Sequence, residues 1–366
     1  MILTNCAACA APLAHDAPAR CVGCRTRYCS ERCLRYHSHR GGHDEICDEI
    51  ASGGGAEQYH ADKKYKEAVA DAVEECAEDT AGQTCYICLE AAKTLVADGI
   101  LDNDYLDDET FDAGWRRWHT CGLCNQSYHS VVSCALGWAC WKTYLGRPEA
   151  DTVRCHAMNL LGVGLHDAGH HEDALSVKEA DFATRRRIGV SEHNLLSVQS
   201  NLASTYEMLG RQDEALSLRR DVYSGRLEFH GEEHEKTLLA ANNYAYSLFA
   251  LQRFEEAKAL SRETMPVARR VLGENEDLTL VMRLNYARAL YKDDDATLDD
   301  LREAVATLED SERIARRVLG GAYPLTTGIE GALQNARAAL GARETPSGVA
   351  TRTRAARARA RPSGEE

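Results

Sequence analysis

The chain has 366 residues and a formal net charge of −14, a length that implies two or three domains rather than one core. The acidic balance argues against a general nucleic-acid surface, and no run reaches the roughly 18 apolar residues of a membrane-spanning helix. Residues 1–14 carry Cys6 and Cys9 and no basic start, so a secretory signal is not expected. Twelve of the fifteen cysteines fall in the first 124 residues. Without an export signal, their Cys-x-x-Cys spacings read as metal binding rather than disulfides.

Residues 1–50 contain Cys6-x2-Cys9, Cys21-x2-Cys24, Cys29-x3-Cys33 and His43-x3-Cys47. Seven thiols and one imidazole are enough for two closed tetrahedral Zn²⁺ sites with no open position, which makes the metal structural. So short a segment cannot bury enough apolar surface to fold alone, and the metal must supply the folding free energy. The pattern, with its Tyr28-Cys29-Ser30 step, resembles a MYND-type zinc finger. That resemblance implies interleaved ligands: Cys6, Cys9, Cys29 and Cys33 on one ion, and Cys21, Cys24, His43 and Cys47 on the other. It also implies binding of short, often proline-containing peptides. Nine residues precede His43 where the family usually has seven, and Tyr36 stands near the place of its usual Trp. His37 and His39 are therefore alternative imidazoles to His43.

Ser52-Gly53-Gly54-Gly55 marks a flexible break. The composition of 56–80 then predicts a linker helix with Val69, Val73 and Cys76 on one apolar stripe. Within 81–126, Cys85-x2-Cys88 and Cys121-x2-Cys124 could close a third zinc site. Cys85-Tyr86-Ile87-Cys88-Leu89 resembles the opening of a RING-variant domain, and Cys121-Gly122-Leu123-Cys124 resembles its last pair. The middle four ligands are missing, so the element reads as degenerate, with His119 and His129 as alternative ligands. The stretch 98–112 holds seven acids and no base, as a solvated edge would.

From Tyr128 to Tyr144 the sequence is apolar on nearly every helical face, predicting a helix packed on several sides. Cys134, Cys140 and Cys155 read as packed rather than ligating residues. Beyond it, Asn159, Asn201, Asn243 and Asn285 recur every 42 residues, the mark of a stacked repeat array. Repeats are predicted at 151–189, 193–231, 234–273 and 276–320. Each is two helices joined by a tight turn, with Gly210 at positive φ ending a first helix. Ala215 and Ala257 are predicted at close helix crossings. Lys292-Asp293-Asp294-Asp295 lengthens the fourth turn before a helix at 298–318, and 324–341 is predicted to cap the array. The run Asn201-Leu202-Ala203-x-x-Tyr206, Gly210 and Glu214-Ala215-Leu216 resembles a tetratricopeptide repeat of the 42-residue kinesin-light-chain form.

That resemblance implies a mostly α fold, a small zinc-stabilised finger followed by a right-handed α-solenoid over 127–341. It further implies a groove lined by first helices, in which Asn201, Ser204, Asn242, Asn243, Tyr246, Asn285 and Arg288 would meet an extended peptide. An amide that donates and accepts suits a peptide backbone; the alternative is that each Asn only ties neighbouring helices together. The Arg-rich tail, 342–366, is expected to be disordered, and serves either as an import or anion-binding patch or simply as a solvated tail. No phosphate loop, nucleophile elbow or SET segment is present, so no enzyme is expected. The sequence reads as an intracellular scaffold, cytoplasmic or nuclear, binding a protein or peptide partner and using neither small-molecule substrate, nucleic acid nor membrane. An E3 ubiquitin ligase using the element at 85–124 is the runner-up.

Overall fold

A computed structural model describes residues 6–9, 11, 13, 19–78, 115, 116, 118–120 and 127–344. Cys85, Cys88, Cys121 and Cys124, the acidic stretch, the side chain of Cys76 and the Arg-rich tail lie outside them. The fold is mostly α, and the chain forms two compact units, Met1–Gly210 and Arg211–Glu366. The division falls within the second repeat.

The first unit begins with a two-stranded antiparallel ribbon, β1 (Ala19–Arg20) and β2 (Arg27–Tyr28). Two ten-residue helices follow, α1 (Glu31–Arg40) and α2 (His43–Ser52). The Ser30 side chain caps α1 by accepting from the Cys33 backbone N–H, so the helix starts where a thiol is needed. Gly42, at φ 70°, turns the chain directly into His43. Helix α3 (Ala56–Glu78) is more than a linker: the Ala56 N–H donates to the Cys24 carbonyl at 2.9 Å, and Ala61, Ala68 and Ala72 are buried in the main core. The expected stripe is corrected, since Val69 is only partly buried and Val73 is exposed. Small side chains face inward here because a bulky helix packs against them.

That helix is α4 (Ser130–Tyr144), buried at every residue from Val132 to Trp141 and at Tyr144. Lys142 joins it to α3 through Asp62 at 2.8 Å. Helices α5 (Thr152–Asp167), α6 (His171–Arg187) and α7 (Glu192–Met208) follow. Cys134, Cys140 and Cys155 are buried, and burial pushes each thiol up, Cys134 to about 12.

Glycines set the α4–α5 contact. A Cβ at Gly137 would lie 2.9 Å from Leu161 Cα, and one at Gly164 would lie 2.8 Å from the Ser133 carbonyl carbon. Both obstacles are backbone, which cannot rotate away. Gly164→Ala is expected to lower stability by about 2–3 kcal/mol, read as a lower urea midpoint at unchanged slope.

The second unit holds α8 (Gln212–His230), α9 (Glu235–Ala250), α10 (Phe254–Val271), α11 (Asp277–Lys292), α12 (Leu298–Val318) and α13 (Pro324–Glu344). Neighbouring helices in sequence pack on one another, and α9 also touches α11, as α11 touches α13. This second-neighbour contact between first helices is what stacked helix pairs require. Ala215 and Ala257 are buried as expected. Glycines at 189, 210, 231, 273 and 320 all have positive φ. At the third repeat's inter-helix turn, Gln252 takes φ 59° in place of glycine. The last helix buries Ile329, Ala332, Leu333 and Ala336.

Candidate functional site

Local geometry brings the eight predicted ligands of residues 1–50 into two groups. The turn between the ribbon strands holds Cys21 and Cys24, with Arg25 at φ 61° closing it and the Cys21 N–H donating to the Thr26 carbonyl at 2.8 Å. Helix α2 presents His43 and Cys47 one turn apart. The resulting clusters are Cys6, Cys9, Cys29 and Cys33, and Cys21, Cys24, His43 and Cys47, with the ligand atoms of each within 4.8 Å of one another. Sulfur–sulfur separations are 3.6 Å for Cys9–Cys29 and Cys29–Cys33, and 3.5 Å for Cys21–Cys47. A disulfide would need about 2.05 Å. A tetrahedron built on metal–sulfur bonds of about 2.3 Å has edges near 3.8 Å. His43 Nε2 lies 3.5 Å from Cys24 Sγ, again a tetrahedral edge. The donor sets therefore fit a closed, four-coordinate soft dication.

Charge supports the same reading. Burial opposes the Cys6 thiolate, but N–H donors of Cys29, Ala8 and Cys9 outweigh it and bring the thiol down to about 6. Cys21 is likewise brought to about 6: burial again opposes, and backbone donors, His43 and Cys47 prevail. Cys29 is pushed up to about 12 by the sulfurs of Cys33, Cys9 and Cys6, and Cys47 to about 12 chiefly by Cys21. Crowded thiols resist sharing negative charge, and a dication among them removes that conflict.

The alternative imidazoles are otherwise engaged or exposed. His37 Nδ1 lies 2.9 Å from the hydroxyl of the fully buried Tyr28, and His39 is exposed. Tyr28 thereby positions α1 beneath the ribbon, a role the sequence did not disclose. In the second cysteine element, His119 is exposed with its Nδ1 3.1 Å from the Thr120 hydroxyl. His129 is exposed at the start of α4. Nearby Trp118 belongs to the core around α4.

The recurrent asparagines lie half-buried on first helices, and each makes an amide contact within its own unit. Asn201 Nδ2 donates to Asn159 Oδ1 at 3.1 Å, and Asn285 Nδ2 donates to Asn242 Oδ1 at 3.0 Å. Asn242 is itself buried and donates to Asn243 Oδ1 at 3.4 Å, so its amide joins α9 to α11. Tyr246 is exposed, Arg288 is half-buried, and the Ser204 hydroxyl donates back to the Ser200 carbonyl at 3.3 Å.

A further polar cluster lies at the end of α5. His166 is half-buried, its Nδ1 3.2 Å from the hydroxyl of Thr205, which accepts from the buried Lys178 Nζ at 2.8 Å. Burial, then the Lys178 charge, bring His166 down to about 4. A histidine lowered on folding contributes stability above its ordinary value of about 6.5 and loses it as pH falls toward 4. The stability difference between wild type and His166→Asn is expected to change by about 2 kcal/mol between pH 7 and pH 4, allowing for partial exposure. Denaturant melts at both pH values measure it.

Comparisons with known proteins place one stretch of the chain in a family. The tetratricopeptide repeat family model matches residues 237–276. Curated proteins give no match. A crystal structure of a kinesin-light-chain candidate of Podosopora anserina, with nearly identical TPR-like repeats, aligns at 21% identity and TM-score 0.45. It covers 59% of this chain and 100% of that one. A point variant of the same protein aligns at 22% identity and TM-score 0.46, covering 56% of this chain and 95% of its own. BtubC (BKLC) of P. vanneervenii aligns at 21% identity and TM-score 0.42, covering 59% of this chain and 87% of its own. Residues 237–276, which span most of α9 and all of α10, are a tetratricopeptide repeat.

Proposed function

We propose that the protein is a non-enzymatic adaptor that holds an extended peptide of a partner protein on the first helices of its repeats. The observation that carries this reading is the pairing of half-buried asparagines within each unit, Asn201 with Asn159 in the first and Asn285 with the buried Asn242 in the second. Each amide has two N–H donors and an oxygen with two lone pairs; Asn201 and Asn285 each direct one N–H to a neighbouring asparagine. Both residues are partly exposed, and Tyr246 supplies an exposed ring on the same helix as Asn243. Aromatic anchors beside amides are the usual makings of a peptide site.

The finger is, in this proposal, a MYND-type module closed by two structural Zn²⁺ ions, one on Cys6, Cys9, Cys29 and Cys33 and one on Cys21, Cys24, His43 and Cys47. Four protein ligands per ion leave no position for a substrate. A third ion on Cys85, Cys88, Cys121 and Cys124 belongs to the same proposal. The expected setting is intracellular, in cytoplasm or nucleus.

Panning a random-peptide display library against the zinc-loaded full chain tests the peptide face. Enriched peptides should bind Asn243→Ala/Tyr246→Ala at least tenfold more weakly, while the melting temperature moves by only a few degrees. Absence of enrichment, or equal binding to the variant, would remove the repeat face as the site.

A further inference from the structure

We propose that the cleft between the finger ribbon, the start of α3 and the α4–α5 connection binds a phosphorylated side chain of a partner protein. The cleft encloses about 440 Å³ and is lined by Arg20, Arg25, Arg27 and Arg154 against Glu57 and Glu149. Four guanidinium groups opposing two carboxylates leave a surplus of two positive charges, in a chain whose net charge is −14. Such a local reversal is costly to hold together unless an anion visits it.

The arginines differ in how they are held. Arg154, on the first turn of α5, donates from Nη1 to the Arg147 carbonyl at 2.7 Å and stacks over the Trp141 ring at 5.5 Å. Its Nη2 stands 4.0 Å from Glu57 Oε2, too far for a hydrogen bond. Arg27 is half-buried on β2 and lines the cleft beside Arg20 and Arg25. Arg20 and Arg25 are exposed and make no ion pair among the described residues. The rim beside them is Gly54 and Gly55, both at positive φ and without side chains to obstruct an incoming group. The 23-residue helix α3 begins there, adding the positive end of its dipole.

Guanidinium forks match the oxygens of a phosphate monoester two at a time. A compact dianion can engage Arg25, Arg27 and Arg154 together, with Glu57, 4.0 Å from Arg154 Nη2, as the carboxylate that opposes it. A nucleic-acid strand or an anionic membrane would extend beyond the cleft and meet both glutamates and the acidic remainder of the chain. None of these residues belongs to the proposed repeat face, so the two proposals stand or fall separately.

Isothermal titration of the zinc-loaded full chain with N-acetyl-phosphoserine methylamide tests the site, with inorganic phosphate as competitor. Binding is expected to weaken about tenfold in Arg25→Gln/Arg154→Gln and to fall steeply with salt. Because an arginine variant could weaken binding by disturbing the fold, Glu57→Gln provides the second arm: removing a competing carboxylate should tighten binding several-fold, which misfolding cannot do. Failure to bind, unchanged affinity in either variant, equal affinity for hexaglutamate, or tighter binding of a single-stranded RNA oligonucleotide would each overturn the proposal.

Discussion

The Cys29→Ser variant is expected to release one metal ion per chain, unfold the outer part of the finger and leave the helical repeats intact. The free energy at stake is on the order of 10–16 kcal/mol for a structural zinc, far more than the finger's packing supplies. Around this site the buried apolar residues are only Cys6, Ala19 and Tyr28 among the described residues. Elemental analysis should show the metal loss, and far-ultraviolet circular dichroism should keep nearly all its helical signal. The other site behaves differently because it is built into a helix start. The Cys24 carbonyl accepts from the Ala56 N–H, and Cys24 packs with Ile50 and Ala56. Cys24→Ser should therefore also expose the first turns of α3 to trypsin, while Ala61, Ala68 and Ala72 remain held against α4. Loss of the repeats' cooperative melting in Cys29→Ser would show that finger and repeats fold as one.

The second large effect is expected at a buried lysine. Lys258 is 2% exposed, and its ammonium lies 2.9 Å from Asp293 and 2.6 Å from Glu255. Burial alone would lower its pKa; the two carboxylates reverse that and raise it. Glu255 is mostly exposed, so its share is small, whereas Asp293 is largely shielded. Asp293→Ala leaves a buried charge with a weak partner and should cost about 3–5 kcal/mol. Lys258→Met/Asp293→Ala removes both charges and should recover most of that loss. A double variant no more stable than Asp293→Ala would show that Asp293 acts by shaping the turn, not by pairing.

This pair also explains the longer turn of the fourth repeat. The sequence shows three consecutive aspartates there, which read only as a lengthened turn. The structure ties the first to Lys258 of the preceding repeat, and Arg343 donates to the carbonyls of Ala296 and Asp294. The turn is thus pinned from both sides. Neither contact could be anticipated, because each joins residues 35 or more positions apart.

Everything that local periodicity carries is legible in the chain alone. The 42-residue recurrence marked four two-helix repeats, and two helices lie in each of those stretches, because a 3.6-residue apolar stripe and a positive-φ glycine are local requirements. The ligand spacings named the seven thiols and one imidazole, because a four-coordinate site needs its donors whatever surrounds them. The resemblance to a MYND-type finger implied their interleaving into the two clusters that the structure brings together. Tertiary structure decided which face of a helix is inside when more than one is apolar. Val69 and Val73 looked like the buried stripe of α3, yet Ala61, Ala68 and Ala72 are buried, since the bulk of α4 demands small partners. It decided that Gly137 and Gly164 serve a helix crossing, which depends on the opposing backbone. It brought Arg27 and Arg154 into one cleft from positions 127 residues apart. Long-range approach has no periodic signal, because it is set by the sum of packing choices along the chain rather than by any one segment.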